Sequence, residues 1–146
     1  MDIDKKKLAT IDKIEIGMTA AVTRVIEYND VKLFSELSGD TNPIHLDKNY
    51  ALNSRYKKNI AHGLLCSSLF SGIFGTRLPG LGSIYTHQSL NFKRPIYIGD
   101  KVEAIVKVVT VDHRKKRVRF TTQCYVNSKI CIDGEAEIYI PWLLFI

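Results

Sequence analysis

The strongest structural signal in the chain is residues 63–75, with the sequence GLLCSSLFSGIFG. The large apolar residues of this segment are spread around much of the circumference of a helix, and this distribution predicts a buried helix. Small residues lie between them at helical spacing, so that a neighbouring sheet or a ligand could approach closely. We therefore expect a central helix with other elements packed around it.

The chain after Leu78–Pro79–Gly80 alternates between apolar and polar residues, which is the period of β-strands. Turn residues divide this part into predicted strands at residues 83–92, 101–111, 117–126 and 130–140. No helix separates these strands, so we expect them to pair antiparallel and in meander order. A helix followed by such strands predicts an α+β fold, with an antiparallel sheet wrapped around the helix. The free edges of the sheet favour pairing across a two-fold axis, so a homodimer is predicted.

The part of the chain before the central helix predicts a strand and a helix. Residues 19–27 are rich in Val, Ile and Thr, which favours a strand. Asn29 or Asp30 is expected to cap a helix that ends at Gly39. The apolar residues at helical spacing along this helix are Leu33, Phe34 and Leu37.

A polar loop follows, and Pro43 is expected to keep it from becoming helical. Asp47 could then cap a second short helix that runs to about Arg55. The sequence shows no repeat, low-complexity tract or linker, so we expect one domain over residues 1–146, with residues 1–13 as a flexible lead-in.

The composition is that of a soluble globular protein, with 45% hydrophobic and 25% charged residues. No apolar run approaches the roughly 20 residues of a membrane helix, and no secretory signal is visible. The 3 cysteines cannot all pair within one chain and are read as small buried thiols in a reducing compartment, so a cytoplasmic location is expected.

The net charge of +6 favours an anionic partner in general. The densest basic cluster is residues 114–117 with Arg119. We interpret it as a solvated hairpin tip, and attraction of a phosphate-bearing ligand is the alternative. A nucleic-acid partner is not expected, because the cluster lacks stacking aromatic residues and a reading helix.

The chemically most reactive stretch is the loop of residues 40–45, which contains Asp40, Asn42 and His45. An aspartate and a histidine five residues apart on a proline-constrained loop could converge on one water molecule and move its protons. They could equally be a turn residue and an ordinary loop histidine. Gly63 favours the first reading, because the free N–H groups at the start of the buried helix could stabilise a carbonyl oxygen that gains negative charge. This combination indicates a lyase or a hydrolase.

Other catalytic signatures are missing from the sequence. The histidines lack the i, i+4 spacing of a helical metal motif, and no nucleophile elbow, P-loop or dinucleotide fingerprint occurs. We therefore expect no metal and no cofactor.

The stretch FSELSGDTNPIH, residues 34–45, resembles the signature of the MaoC-like, (R)-specific enoyl-CoA hydratases. The likeness extends through AHG at 61–63, LFSG at 69–72, LPG at 78–80 and QSL at 88–90, and it spans roughly residues 15–141. This resemblance implies the hot-dog fold, in which an antiparallel sheet wraps a long helix. It agrees with the order of elements read above.

The resemblance also implies roles for individual residues. Asp40 and His45 would be the catalytic pair, and the Gly63 amide would polarise the thioester carbonyl. Ser71 would help to hold the aspartate, and Asn42 would position the loop. The remaining candidates are His62, as a packing or second-layer residue, and Phe74, beside the acyl chain.

The implied reaction is hydration of a trans-2-enoyl thioester to a (3R)-hydroxyacyl thioester, with a preference for short acyl chains. The acyl carrier would be CoA or an acyl carrier protein, and basic residues such as Lys93, Arg94 or the 114–119 hairpin could meet its phosphates. Two other functions remain open. An acyl-CoA thioesterase would need a carboxylate on the central helix, and residues 63–75 contain none. A non-catalytic acyl-thioester-binding domain would not need both Asp40 and His45.

Overall fold

The predicted central helix is present, and a single antiparallel sheet packs on it. We describe residues 8–141 of the protein from a computed structural model. The helices are α1 (Tyr28–Ser38), α2 (Pro43–Leu46), α3 (Lys48–Leu52) and α4 (Gly63–Thr76). The strands are β1 (Thr19–Val25), β2 (Ile84–Gln88), β3 (Asn91–Phe92), β4 (Lys101–Asp112), β5 (Arg117–Val126) and β6 (Lys129–Tyr139).

The strands form one sheet in the order β1-β4-β5-β6-β2, with β3 also paired to β6. All of these pairings are antiparallel, and α4 packs against the sheet. Val118, Phe120, Thr122 and Cys124 of β5 alternate inward and are buried, as their period-two spacing predicts. The α+β arrangement of a sheet around one helix is confirmed.

The position and continuity of the first long strand differ from the prediction. Residues 83–92 were expected to form one strand beside 101–111, but β2 and β3 lie at the edge of the sheet, paired with β6. The predicted strand is interrupted at Ser89, whose backbone lies very close to that of Gly134. A Cβ atom on Gly134 would overlap the Ser89 carbonyl. The lack of a side chain at Gly134 thus permits a close backbone approach that the alternating pattern does not reveal.

The caps of the N-terminal helices also differ from the prediction. The N-cap of α1 is Glu27, whose backbone N–H donates to Asp30 Oδ2 at 3.0 Å, so that Asp30 completes a capping box from inside the helix. Pro43 does not prevent a helix but begins one, because its fixed φ and missing N–H suit the first helical position. Gly39 ends α1 with φ 78°, and Asp47 caps α3, both as predicted.

Two helical faces are open to solvent in the single chain. Leu33 and Leu37 of α1 are exposed, Leu37 to 88%, whereas Val31 and Ser35 form the buried face. On α4, the exposed residues are Leu64, Ser68, Ser71 and Gly72. The central helix was predicted to be buried, but one of its faces is open to solvent in the single chain.

The expected flexible lead-in is wrong for residues 8–13. Leu8 bridges to Leu81, the N–H of Ala9 donates to the Leu81 carbonyl at 2.9 Å, and Ala9 and Ile11 are buried in the core. Residues 1–7 lie outside the described part of the chain, as do residues 142–146. Between these limits, no helix is long and apolar enough to cross a bilayer. The three cysteines are free and buried, and burial raises the pKa of both Cys66 and Cys124 to about 12.

Candidate active site

The loop after α1 is shaped by short-range hydrogen bonds of its own side chains. Gly39 turns the chain in the left-handed region, and Asp40 Oδ1 then accepts the Asn42 N–H at 3.2 Å. Asn42 caps α2 by accepting the Ile44 N–H at 3.3 Å. Asn42 therefore fixes the start of the short helix that carries His45, and this is consistent with a role in positioning the loop.

The side chains of Asp40 and His45 point toward each other but do not form a direct hydrogen bond. His45 Nε2 lies 3.8 Å from Asp40 Oδ2. His45 Nδ1 lies 2.7 Å from the Ile60 carbonyl oxygen, which can only accept, so Nδ1 carries the proton and Nε2 presents its lone pair. The gap is too long for a direct hydrogen bond and suits a bridging water. The His45 side chain is nearly buried, whereas that of Asp40 is 49% exposed.

His62 is packed beneath both residues and is only 3% exposed. Its ring stacks on the His45 ring at a centroid distance of 3.8 Å, with an interplanar angle of 30°. Its Nε2 lies 3.1 Å from the backbone oxygen of Asp40 and 3.2 Å from Ser35 Oγ. Because the carbonyl can only accept, Nε2 carries the proton, and the buried Nδ1 presents a lone pair that has no hydrogen-bond partner among residues 8–141.

Burial lowers the pKa of His62 below its ordinary value of 6.5, so the ring is held neutral. The unfolded chain then binds more protons than the folded protein as the pH falls through 6.5, and the free energy of unfolding must decrease there. The loss stops growing once the pH is below the pKa of the folded state.

We therefore expect the melting temperature of the wild type to fall more steeply than that of His62→Gln as the pH is lowered from about 7 to about 5. A glutamine keeps a donor near the Nε2 position and cannot titrate. The matched control is His87→Gln, which removes an exposed histidine of β2 and should retain the wild-type slope. Parallel curves for wild type and His62→Gln in scanning calorimetry would contradict a buried neutral His62.

Gly63 opens α4 next to this group. The first bond of the helix runs from the Cys66 N–H to the His62 carbonyl at 3.2 Å, so the Gly63 N–H precedes the helical ladder and belongs to the unpaired first turn. The Phe92 ring lies against Gly63, and a Cβ atom there would overlap it. A glycine thus lets the ring, or a ligand in its place, come close to a backbone donor at the positive end of the helix.

These groups line a single cavity of about 410 Å³. Its walls include the polar residues Asp40, His45 and His62 together with Gly63. The apolar lining residues are Phe34, Ile60, Ala61, Leu64, Phe92, Pro95, Ile96 and Ile132. The structure therefore brings together four of the predicted site residues from two separate segments, residues 40–45 and 62–63.

Besides Asn42, which caps α2 without lining the cavity, two predicted site residues are not brought to this cavity within one chain. Ser71 is exposed, lies two turns along α4 from Gly63 and forms no hydrogen bond with Asp40 among residues 8–141, so it does not hold the aspartate there. Phe74 is buried on the sheet, with its ring 4.7 Å from that of Phe120 and 5.2 Å from that of Tyr85. The reactive groups lie at the N-terminal end of α4, and both residues are too far along the helix to reach them.

The fold gathers a set of possible metal ligands that the spacing in the sequence did not suggest. One ligand atom each of Asp40, His45 and His62 lie within 4.8 Å of one another. His45 offers Nε2, but Nε2 of His62 already carries the proton that it donates to the Asp40 carbonyl. Binding through that atom would require a different tautomer and the loss of this bond. The group as built suits proton transfer better than metal coordination.

Sequence reasoning missed the supports of the site. The Ile60 carbonyl sets the tautomer of His45, and Ser35 meets His62 from α1. The sequence does not reveal which backbone carbonyl a histidine will contact. For Ser35, only its position on the predicted helix could have suggested a contact.

Known proteins resemble this chain over nearly its whole length. The family model described as MaoC like domain matches residues 10–130. The (R)-specific enoyl-CoA hydratase of Rhodospirillum rubrum is 43% identical over 141 residues, 97% of this chain and 98% of that protein. The 3-hydroxybutyryl-CoA dehydratase of Methylorubrum extorquens is 40% identical over 130 residues, 89% of this chain and 83% of that protein. The solved structure of the (R)-hydratase from A. caviae involved in PHA biosynthesis superposes with a TM-score of 0.87 at 38% identity, covering 88% of this chain and 98% of that one.

Proposed function

This chain belongs to the MaoC-like domain family, and on that premise we propose that it is a hydro-lyase that reversibly hydrates trans-2-enoyl-CoA to (3R)-3-hydroxyacyl-CoA. The single observation that carries the proposal is the cavity that Asp40, His45 and Gly63 line together. Relatives at 39–43% identity carry the names (R)-specific enoyl-CoA hydratase and 3-hydroxybutyryl-CoA dehydratase, which support the same chemistry.

In the proposed mechanism, a water molecule sits beside Asp40 Oδ2 and His45 Nε2, which are 3.8 Å apart, and donates a hydrogen bond to each. The pair removes a proton from the water as its oxygen bonds to C3 of the substrate. The π electrons of the double bond shift toward the thioester, so that negative charge develops on the carbonyl oxygen. The Gly63 N–H and the N-terminal end of α4 stabilise that charge.

The intermediate then collapses and takes a proton at C2 from the same pair, so that one water is added and the pair returns to its starting state. Because the hydroxyl and the proton come from one side of the cavity, the addition is syn. The two groups are coupled and share their protons through the cycle. His62 serves as a neutral platform: it holds the backbone of Asp40 and stacks on His45, and it adds no positive charge of its own.

We propose a preference for short acyl chains. Phe74 does not line the cavity, but its packing on Phe120 and Tyr85 fills the space beside the C-terminal end of α4. A long chain would have to displace the buried rings of Phe74 and Phe120, whereas a short one would not.

The test is a stereospecific hydration assay over a series of chain lengths. We expect loss of enoyl-thioester absorbance with crotonyl-CoA, formation of the (3R) product, and a higher kcat/KM for crotonyl-CoA than for dodecenoyl-CoA. A thiol reagent run in parallel distinguishes the thioesterase alternative, which would release free CoA. Absence of both activities in wild type, with binding retained, would indicate the non-catalytic alternative and refute the proposal.

We further propose that the protein acts as a cytoplasmic homodimer and needs no cofactor beyond the CoA of its substrate. The exposed apolar residues Leu37 of α1 and Leu64 of α4 support an interface with a second copy. Light scattering on the purified protein tests the dimer directly.

A further inference from the structure

The mouth of the catalytic cavity is strongly basic. Apart from the histidines, four charged residues line it: Asp40, Arg55, Lys93 and Arg94. Three of the four are cations, and all three are exposed. The single carboxylate is the reactive one, so the remaining charge of the lining is positive.

The three cations differ in how far they are already engaged. Lys93 Nζ lies 3.1 Å from Asp133 Oδ2, so its charge is largely compensated. The Arg94 guanidinium donates one N–H to the Ile130 carbonyl at 2.6 Å, and among the described residues its other N–H groups have no hydrogen-bond partner. Arg55 lies over the Tyr56 ring, with Cζ 5.3 Å from the centroid. Within residues 8–141, neither arginine forms an ion pair.

The loop that carries Arg55 is tied to the catalytic loop. Asn59, which is nearly buried, donates through Nδ2 to the Ile44 carbonyl at 2.9 Å and to the Asp47 carbonyl at 3.1 Å. The adjacent carbonyl of Ile60 accepts from His45 Nδ1. The loop that carries Arg55 is therefore anchored to the segment that carries His45.

The basic hairpin of residues 113–116, with Arg117 and Arg119, is a poorer candidate for contact with a phosphate. Arg117 lies 2.9 Å from Glu137, and Arg119 lies 3.4 Å from Glu135, so both charges are compensated. None of these hairpin residues lines the catalytic cavity. The cations at the cavity mouth, which are Lys93 and Arg94 as considered from the sequence together with Arg55, therefore fit a bound anion better.

We propose that Arg55 and Arg94 form a phosphate subsite at the cavity mouth, which binds the phosphate of the carrier arm while the thioester lies against Gly63. This inference rests on the proposed hydration of an acyl thioester. Arginine suits the role because its planar guanidinium can bind phosphate oxygens through two parallel hydrogen bonds. The phosphate would belong to CoA or to the prosthetic arm of an acyl carrier protein, since the two arms share this group.

The experiment compares crotonyl-CoA with crotonyl-pantetheine, which has the same reacting group and no phosphate. Arg55→Ala and Arg94→Ala should each lower kcat/KM for crotonyl-CoA about fivefold, mainly through KM, as expected for one exposed charge pair. Neither should change kcat/KM for crotonyl-pantetheine, which also reports that the variant is folded. Added salt should reduce the difference between wild type and variant with crotonyl-CoA.

The matched control is Arg114→Ala, which removes an arginine of the hairpin and should leave both substrates unaffected. An equal loss on both substrates, or no loss on crotonyl-CoA, would overturn the subsite while the hydration activity of wild type stands. Failure of wild type on both substrates would instead refute the proposed function. A crotonyl-loaded acyl carrier protein distinguishes the two carriers: the one with the larger loss in Arg55→Ala is the source of the phosphate.

Discussion

Asp40→Asn is expected to lower kcat for hydration of crotonyl-CoA by about 10²–10⁴-fold, the usual contribution of a positioned acid–base group. The amide has nearly the shape of the carboxylate, and its oxygen can still accept the Asn42 N–H that Asp40 Oδ1 accepts at 3.2 Å. The loop should therefore keep its structure. What disappears is the negative charge and the ability to exchange a proton with water beside His45. Because substrate binding does not use this charge, KM should change far less than kcat.

The matched control for this change is Asp47→Asn on the same segment of chain. Asp47 caps α3 by accepting the Tyr50 N–H at 2.9 Å and does not line the cavity. Asparagine is an equally good N-cap, so this variant should keep wild-type turnover. Steady-state kinetics on both proteins make the comparison, and turnover of Asp40→Asn near that of Asp47→Asn would remove Asp40 from the mechanism.

Gly63→Pro is expected to lower kcat by about 10²–10³-fold relative to Gly63→Ala, which is the typical effect of losing one oxyanion donor. Proline is the one residue without a backbone N–H, and it suits the first position of a helix. The residue before it must be extended, and His62 already has φ −63° and ψ 133°. The backbone can thus accept proline here. The proline ring would also occupy the place of the donor, which acts in the same direction.

Gly63→Ala is the control because it adds the same Cβ atom next to the Phe92 ring and keeps the N–H. Phe92 is exposed and can turn away, so the alanine variant should lose much less activity. Circular dichroism and thermal melting should show that both variants are folded. Equal kcat values for the proline and alanine variants would mean that this amide does not stabilise the transition state.

The parts of the structure that depend on local chemistry could be predicted from the sequence. The apolar run of α4, the glycine at the end of α1 and the alternation of β5 each leave a periodic or conformational mark, and each is found where expected. The pairing of Asp40 with His45 could be proposed because both lie on one constrained loop. Hydrogen bonds between near neighbours, such as that of Asn42 to Ile44, fix that loop.

The parts that depend on contacts between distant segments could not be predicted. The interruption of the predicted strand at Ser89 depends on the close approach to Gly134, far along the chain. The stacking of His62 on His45 joins two residues that α3 and the loop after it separate in the sequence. Ser71 was expected to hold Asp40 on the strength of a resemblance, without a contact to place it. Helix geometry then carries its side chain away from the cavity.

His62 has a consequence for how this enzyme could be altered. It precedes Gly63 directly, touches the backbone of Asp40 and stacks on His45, so any shift at the start of α4 should move the proposed proton-transfer pair and the proposed oxyanion donor together. Phe74 lies eleven residues after Gly63 on the same helix, a distance of about 16 Å at the usual rise per residue. Repacking that far end to admit larger substrates should therefore leave the reactive end intact, because the length of α4 lies between Phe74, the proposed limit on the acyl chain, and the proposed acid–base pair.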